Sequence, residues 1–133
     1  MKIQKKQNKV KMQTLTLPIV ITGVDNKGNE YDTASCTDLV NDLNKAGVFQ
    51  KLAVNVNISR SLFDPELKGQ TSIGSIIEVD EESNEATVLV FAKYNEFIDI
   101  MKDLFIVPRV RINKADGSVL SILRFDLVQA MEA

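Results

Sequence analysis

Apolar and polar residues alternate along most of this chain, and the alternation gives way to a longer period in two places. Lys51 to Ser59 is the cleanest alternating stretch. Leu52, Val54, Val56 and Ile58 fall on one side and Ala53, Asn55, Asn57 and Ser59 on the other, as a half-buried strand requires. Thr14 to Thr22 is β-branched and apolar, and Pro18 within it marks a sheet edge, because proline has no N–H to give a ladder. Asp25-Asn26-Lys27-Gly28-Asn29 reads as a turn, since Asn and Gly tolerate positive φ, and a short strand is expected after it. Residues 73–80 and 85–93 form a hairpin across the polar turn Glu81-Glu82-Ser83-Asn84. A second hairpin joins Val107 to Asn113 with Ser118 to Val128 across Lys114-Ala115-Asp116-Gly117.

The longer period marks two helices. Over residues 36–46, Leu39, Leu43 and Ala46 share a face, with Ser35 as the expected cap and Gly47 at the left-handed C-terminal stop. Asn95 is the expected cap of the second, whose apolar face is Tyr94, Phe97, Ile98, Met101, Leu104 and Phe105. Arg60 to Ser72 holds Asp64-Pro65 and Gly69, keeps no period, and reads as a surface loop of the kind that makes contacts. The pattern predicts an α+β fold: a mostly antiparallel sheet of about seven strands, curled or closed into a small barrel, with two short helices packed outside.

The length of 133 residues and an apolar fraction of 44% suit one domain with a real core. No apolar run approaches the ~20 residues of a membrane span, and no apolar stretch follows the lysine-rich start as a secretory signal would need. A soluble intracellular protein is expected, and one free cysteine fits a reducing compartment. The net charge of −2 conceals an uneven distribution. Residues 1–12 carry Lys2, Lys5, Lys6, Lys9 and Lys11 with no acid, while the remainder has 11 basic and 18 acidic groups. A basic arm over residues 1–12 on a single acidic domain over 13–133 is expected. The arm can attract nucleic acid or an acidic protein neighbour through unspecific Coulomb forces.

Candidate chemistry is narrow because the chain has no histidine. That removes the usual proton shuttle near neutral pH, the usual activator of serine or cysteine, and the commonest metal ligand. A lone cysteine completes neither a thiolate metal site nor an internal disulfide. The serines are left with lysine as the only conceivable base, and no local spacing singles out such a couple. Asp32-Thr33-Ala34-Ser35 resembles the Asp-Thr-Gly of aspartic proteases with alanine in place of glycine, but Asp32 is expected just ahead of a helix. Asp80, Glu81, Glu82 and Glu85 read as a solvated hairpin tip. Arg109 and Arg111 share one face of their strand and Arg124 lies on the partner strand, so the three can meet phosphate or carboxylate, or simply guard an edge. No catalytic residue, metal site or cofactor is expected.

Two resemblances add to this reading. The order of strand, helix, strand, long loop, hairpin, helix and hairpin resembles the capsid-maturation (prohead) proteases of tailed phages. It is carried best by Ile73-Gly-Ser-Ile-Ile-Glu-Val-Asp, Ala86 to Ala92, Phe97 to Phe105, Val107-Pro-Arg-Val-Arg and Val119 to Val128. In that family a histidine in the mid-chain loop and a serine on the strand after the helix do the chemistry. This chain has no histidine and offers Val107-Pro108-Arg109-Val110 without a serine, so the resemblance implies a scaffold whose protease chemistry is gone. Lys5-Lys6-Gln7-Asn8-Lys9 and Asp42-Leu43-Asn44-Lys45-Ala46-Gly47 resemble the Arg-x-x-x-Arg arm and Asp/Asn-x-Ser-x-x-Gly turn of PilZ domains, which bind cyclic di-GMP. Lysine replaces both arginines there and lacks the planar fork that grips phosphate bidentately. The expectation is a non-catalytic structural or assembly protein, a virion component of a tailed phage, acting through protein neighbours in a homo- or hetero-oligomer. A PilZ-like nucleotide-binding regulator is the alternative. The expected partner contacts are Lys2, Lys5, Lys6, Lys9, Lys11, Arg109, Arg111 and Arg124.

Overall fold

The computed structural model describes residues 11–129. They form an α+β fold in which strands β1 (Gln13–Pro18), β2 (Val54–Ser59), β3 (Gln70–Asp80), β4 (Glu85–Val90), β5 (Phe105–Ile112) and β6 (Val119–Val128) build one mixed sheet. Three helices accompany it: α1 (Thr33–Lys45), α2 (Val48–Lys51) and α3 (Ile98–Met101). The strand order is β1-β4-β3-β2-β6-β5, and every neighbouring pair is antiparallel except β2 with β6. No helix among the described residues is long and apolar enough to cross a membrane.

The expected barrel does not close. β1 and β5 remain the two edges of the ladder, and just past β1 Ile19 bridges Ile106 and the Val20 N–H donates to the Ile106 carbonyl at 2.8 Å. Pro18 ends β1, which explains why the pairing stops there. Six strands replace the expected seven, because the segment after the Asp25–Asn29 turn makes a single bridge, Val24 with Glu30, and then enters α1.

Asp32, not Ser35, caps α1, so the helix begins three residues earlier than expected. The Asp32 carboxylate accepts from the Ala34 and Ser35 N–H groups at 3.3 and 3.1 Å. Ser35 serves elsewhere: its Oγ donates to the Asp32 carbonyl at 2.9 Å and accepts from the Val119 N–H at 3.1 Å, tying the helix to β6. Gly47 stands past the helix end with φ of 72°, in the left-handed region expected of it. Residues 48–51 then turn once more as α2, so the alternating strand begins at Val54 and leaves Leu52 exposed. Asn95 is not a cap either. Ala92–Phe97 is a 3-10 segment leading into the single turn of α3, and the Asn95 amide donates to the Lys11 carbonyl at 2.8 Å.

One face of the sheet closes over Leu17, Phe49, Val56, Ile58, Ile73, Ile76, Val88, Met101, Ile106, Phe125 and Leu127. A smaller cluster of Tyr31, Cys36 and Val110 lies against Ile21, Ile112, Val119 and Ile122. The close approach of β3 to β4 depends on Gly74, where an added Cβ would drive into the Leu89 carbonyl group. Gly74→Ala is therefore expected to cost about 2 kcal/mol or more, read as a lower urea midpoint at unchanged slope.

Burial of Cys36 pushes its thiol from 9.0 up to about 11, and burial raises the Tyr31 phenol as well. A folded value above the unfolded one favours the protonated thiol in the native state. The associated stability is complete below the unfolded value and is lost as pH rises through the folded one. Urea midpoints of the wild type are expected to fall between about pH 9 and about pH 11, with a shallower fall in Cys36→Ala.

Candidate functional site

The sequence placed Arg109 and Arg124 on partner strands, and the register puts them directly opposite each other. Between their side chains lies Asp126, a carboxylate with about 1% exposure. Arg109 Nε donates to Asp126 Oδ2 at 2.8 Å, Arg124 Nε to Oδ1 at 2.8 Å, and an Arg124 terminal nitrogen to Oδ2 at 3.3 Å. A carboxylate this deep needs compensation, and two guanidinium groups supply it while staying partly in water themselves.

These arginines line a groove of about 370 Å³ between β5 and the Asp25–Asn29 turn. Arg111 of β5 and Lys114 of the turn after it continue its cationic wall, and Lys27 lines it from the Asp25–Asn29 turn. Among the described residues Arg111 has no ion-pair partner within 4.0 Å. Asp25 also lines the groove, but its carboxylate is taken up by the turn. It accepts from the Asn29 N–H at 2.8 Å and the Lys27 N–H at 2.9 Å, and these bonds, the Asn29 one foremost, hold it below the usual carboxylate range. Five cations against two engaged carboxylates leave the groove positive.

Two register shifts shape the same hairpin. Arg109 pairs with Arg124 but Val110 with Ile122, and Arg111 pairs with Ser121 but Ile112 with Val119. Each shift leaves one extra residue in β6, Leu123 and Leu120, and these are 62% and 54% exposed. Leu123 lines the groove beside the arginines.

On its other side Arg109 borders a shallower pocket with Ser59, Ser61 and Asp126. The two serine hydroxyls are 2.8 Å apart. Arginine stays protonated and Asp126 is already paired, so this arrangement can hold an anion or a polar group and has no base to activate a hydroxyl.

Of the other expected contacts, Lys2, Lys5, Lys6 and Lys9 lie outside the described residues, and Lys11 sits just ahead of β1. Asp80 holds its own turn through the Glu82 and Ser83 N–H groups, and Glu81 lies 3.9 Å from Lys45. Among the described residues no cluster of acidic or cysteine side chains is arranged to hold a metal ion. Asp42 to Lys45 belong to α1, where the Asn44 side chain bonds the Val79 backbone at 2.7 and 3.1 Å. The loop after β2 is shorter than expected, since β3 already starts at Gln70. Phe63 stacks on Tyr94 and Phe97 at centroid distances of 5.6 and 4.4 Å, which pins the loop to the 3-10 segment. Compared with protein-family models, curated proteins and solved structures, the chain matches none.

Either arginine alone still compensates Asp126, and removing both strands a buried carboxylate. Arg109→Ala and Arg124→Ala are each expected to cost about 1 kcal/mol, and the double variant about 3 kcal/mol or more, measured by urea unfolding. Additive losses in the cycle would show that the arginines do not share this duty.

Proposed function

We propose that this chain is a non-catalytic structural protein that works by contact within a larger assembly, of the kind found in tailed-phage virions. The observation that carries the reading is the terminal hairpin, where two β-bulges hold Leu120 and Leu123 in water, Leu123 beside a row of arginines. Exposed leucines next to arginine are the composition of a contact surface: apolar side chains supply burial, and the guanidinium groups supply geometry and desolvate more readily than ammonium. The order of elements, which resembles that of the prohead proteases, gives the virion its place in the proposal. The chain's lack of histidine gives the contact role its place.

The test is fractionation of particles from the native source. The chain is expected to sediment with them, and Leu120→Ser/Leu123→Ser to move it at least about tenfold toward the free fraction. Its thermal midpoint should stay within a few degrees, since surface substitutions of this kind change stability by roughly 0.5 kcal/mol or less. A wild-type chain found only in the free fraction overturns the reading. Heat on titration with cyclic di-GMP would instead support the nucleotide-binding alternative.

A further inference from the structure

The outer edge of β5 carries a backbone bond at one point, and beyond it Val110, itself only 8% exposed, and Ile112 line the basic groove. The Ile106 carbonyl accepts from the Val20 N–H, and among the described residues no later residue of β5 receives a backbone bond from the 20–30 segment. Backbone groups of alternate strand residues point to the same edge, so Pro108, Val110 and Ile112 face outward with Ile106. Pro108 thus costs the β5–β6 ladder nothing, and the polar groups of Val110 and Ile112 remain at the edge. That edge is also the floor of the basic groove: four consecutive residues, Arg109 to Ile112, line it. Since neighbouring strand residues point to opposite faces, a run of four lining one groove means that the groove reaches around the strand's edge, and Leu123 and Arg124 of β6 carry it onto the arginine-bearing face.

We propose that this edge is the docking site for an extended acidic segment of a partner protein, which adds to the sheet as a strand beside β5. The proposal rests on the contact role argued above and names the chemistry of the contact. Charge selects the occupant: outside the first twelve residues there are 11 basic against 18 acidic groups, and five of the 11 gather at this groove. Strand geometry sets its pattern. Arg109 and Arg111 lie on one face of β5 and Val110 and Ile112 on the other, so a matching strand alternates carboxylate and apolar side chains, with backbone bonds made at Val110 and Ile112. Nucleic acid fits less well, because no aromatic side chain lines the groove to stack on a base.

The test uses fluorescence anisotropy of a labelled alternating Glu-Val decapeptide with the full-length chain. Binding is expected to weaken at least about tenfold in Arg111→Glu/Lys114→Glu, neither of which touches Asp126, and to weaken as salt rises. The charge-matched Lys68→Glu/Lys102→Glu variant, away from the groove, should bind as the wild type does. An alternating Glu-Pro decapeptide has the same charge and no N–H to pair, and it is expected to bind at least about tenfold more weakly. No binding, equal binding by the groove variant, equal binding of the proline peptide, or tighter binding of a single-stranded oligonucleotide of equal charge would each overturn the proposal. Any of these results, with leucine-dependent sedimentation intact, sinks the acidic strand and leaves the contact role standing.

Discussion

Three residue pairs of parallel ladder, Val56 with Phe125, Asn57 with Asp126 and Ile58 with Leu127, hold the two halves of this sheet together. On one side lies the antiparallel run β1-β4-β3-β2, and on the other the terminal hairpin. A junction this short works because its alternate positions are fully committed. Phe125 and Leu127 bury against Val56 and Ile58, and the Phe125 ring meets Phe49 edge-on at 6.1 Å. Between them Asp126 points to the other face and is buried there as well, with the Arg109 and Arg124 side chains on its carboxylate. The carboxylate thereby dictates where two arginines must stand. Arg109 and Arg124 serve the junction first, and among the described residues the groove's cations outside these ion pairs are Arg111, Lys114 and Lys27.

What the sequence disclosed follows the range of the forces involved. Local signals read well: Gly47 at the helix end, the Glu81–Asn84 turn, Pro18 on a strand that proves to be an edge, and Asp32 just ahead of its helix all rest on one residue's backbone preferences. Pairings between distant segments did not. Alternation announces a strand but not its neighbour, so nothing in Val54–Ser59 or Val119–Val128 reveals that the two run parallel. Ser35 and Asp32 are both good caps by type. Tertiary demand from Val119 decides between them, because it recruits the serine hydroxyl and leaves the aspartate to the helix. Tyr94, Phe97, Ile98 and Met101 keep spacings that a 3-10 segment followed by one α-turn satisfies as well as a continuous helix would.

The candidate site divides along the same line. Arg109, Arg111 and Arg124 were legible as a group because a hairpin turn fixes which residues face each other. Asp126 was missed although its signal was present: an acid between two large apolar residues, on a strand with arginines opposite, has to be buried and paired. Lys27 was beyond reach. It comes to the groove from a turn some eighty residues earlier in the chain, placed by the bridge of Ile19 to Ile106. The bulges were equally hidden, since an extra residue in a strand is visible only against its partner.

The open edge carries a physical tension. A sheet edge in water is a hazard, and this one has the usual safeguards: a proline, flanking cations and, in the neighbouring β6, two bulges that twist the hairpin away from a flat template. Those safeguards are not neutral between partners. Repulsion between like cations disfavours pairing of this edge with itself, while for a strand bearing carboxylates at alternate positions the same charges become attraction. Proline withholds one N–H at an outward position and leaves those of Val110 and Ile112. The bulges set Leu123 into the wall of the same groove. Protection and recognition therefore need no separate residues. In an acidic body, a guarded basic edge is an edge that admits its opposite.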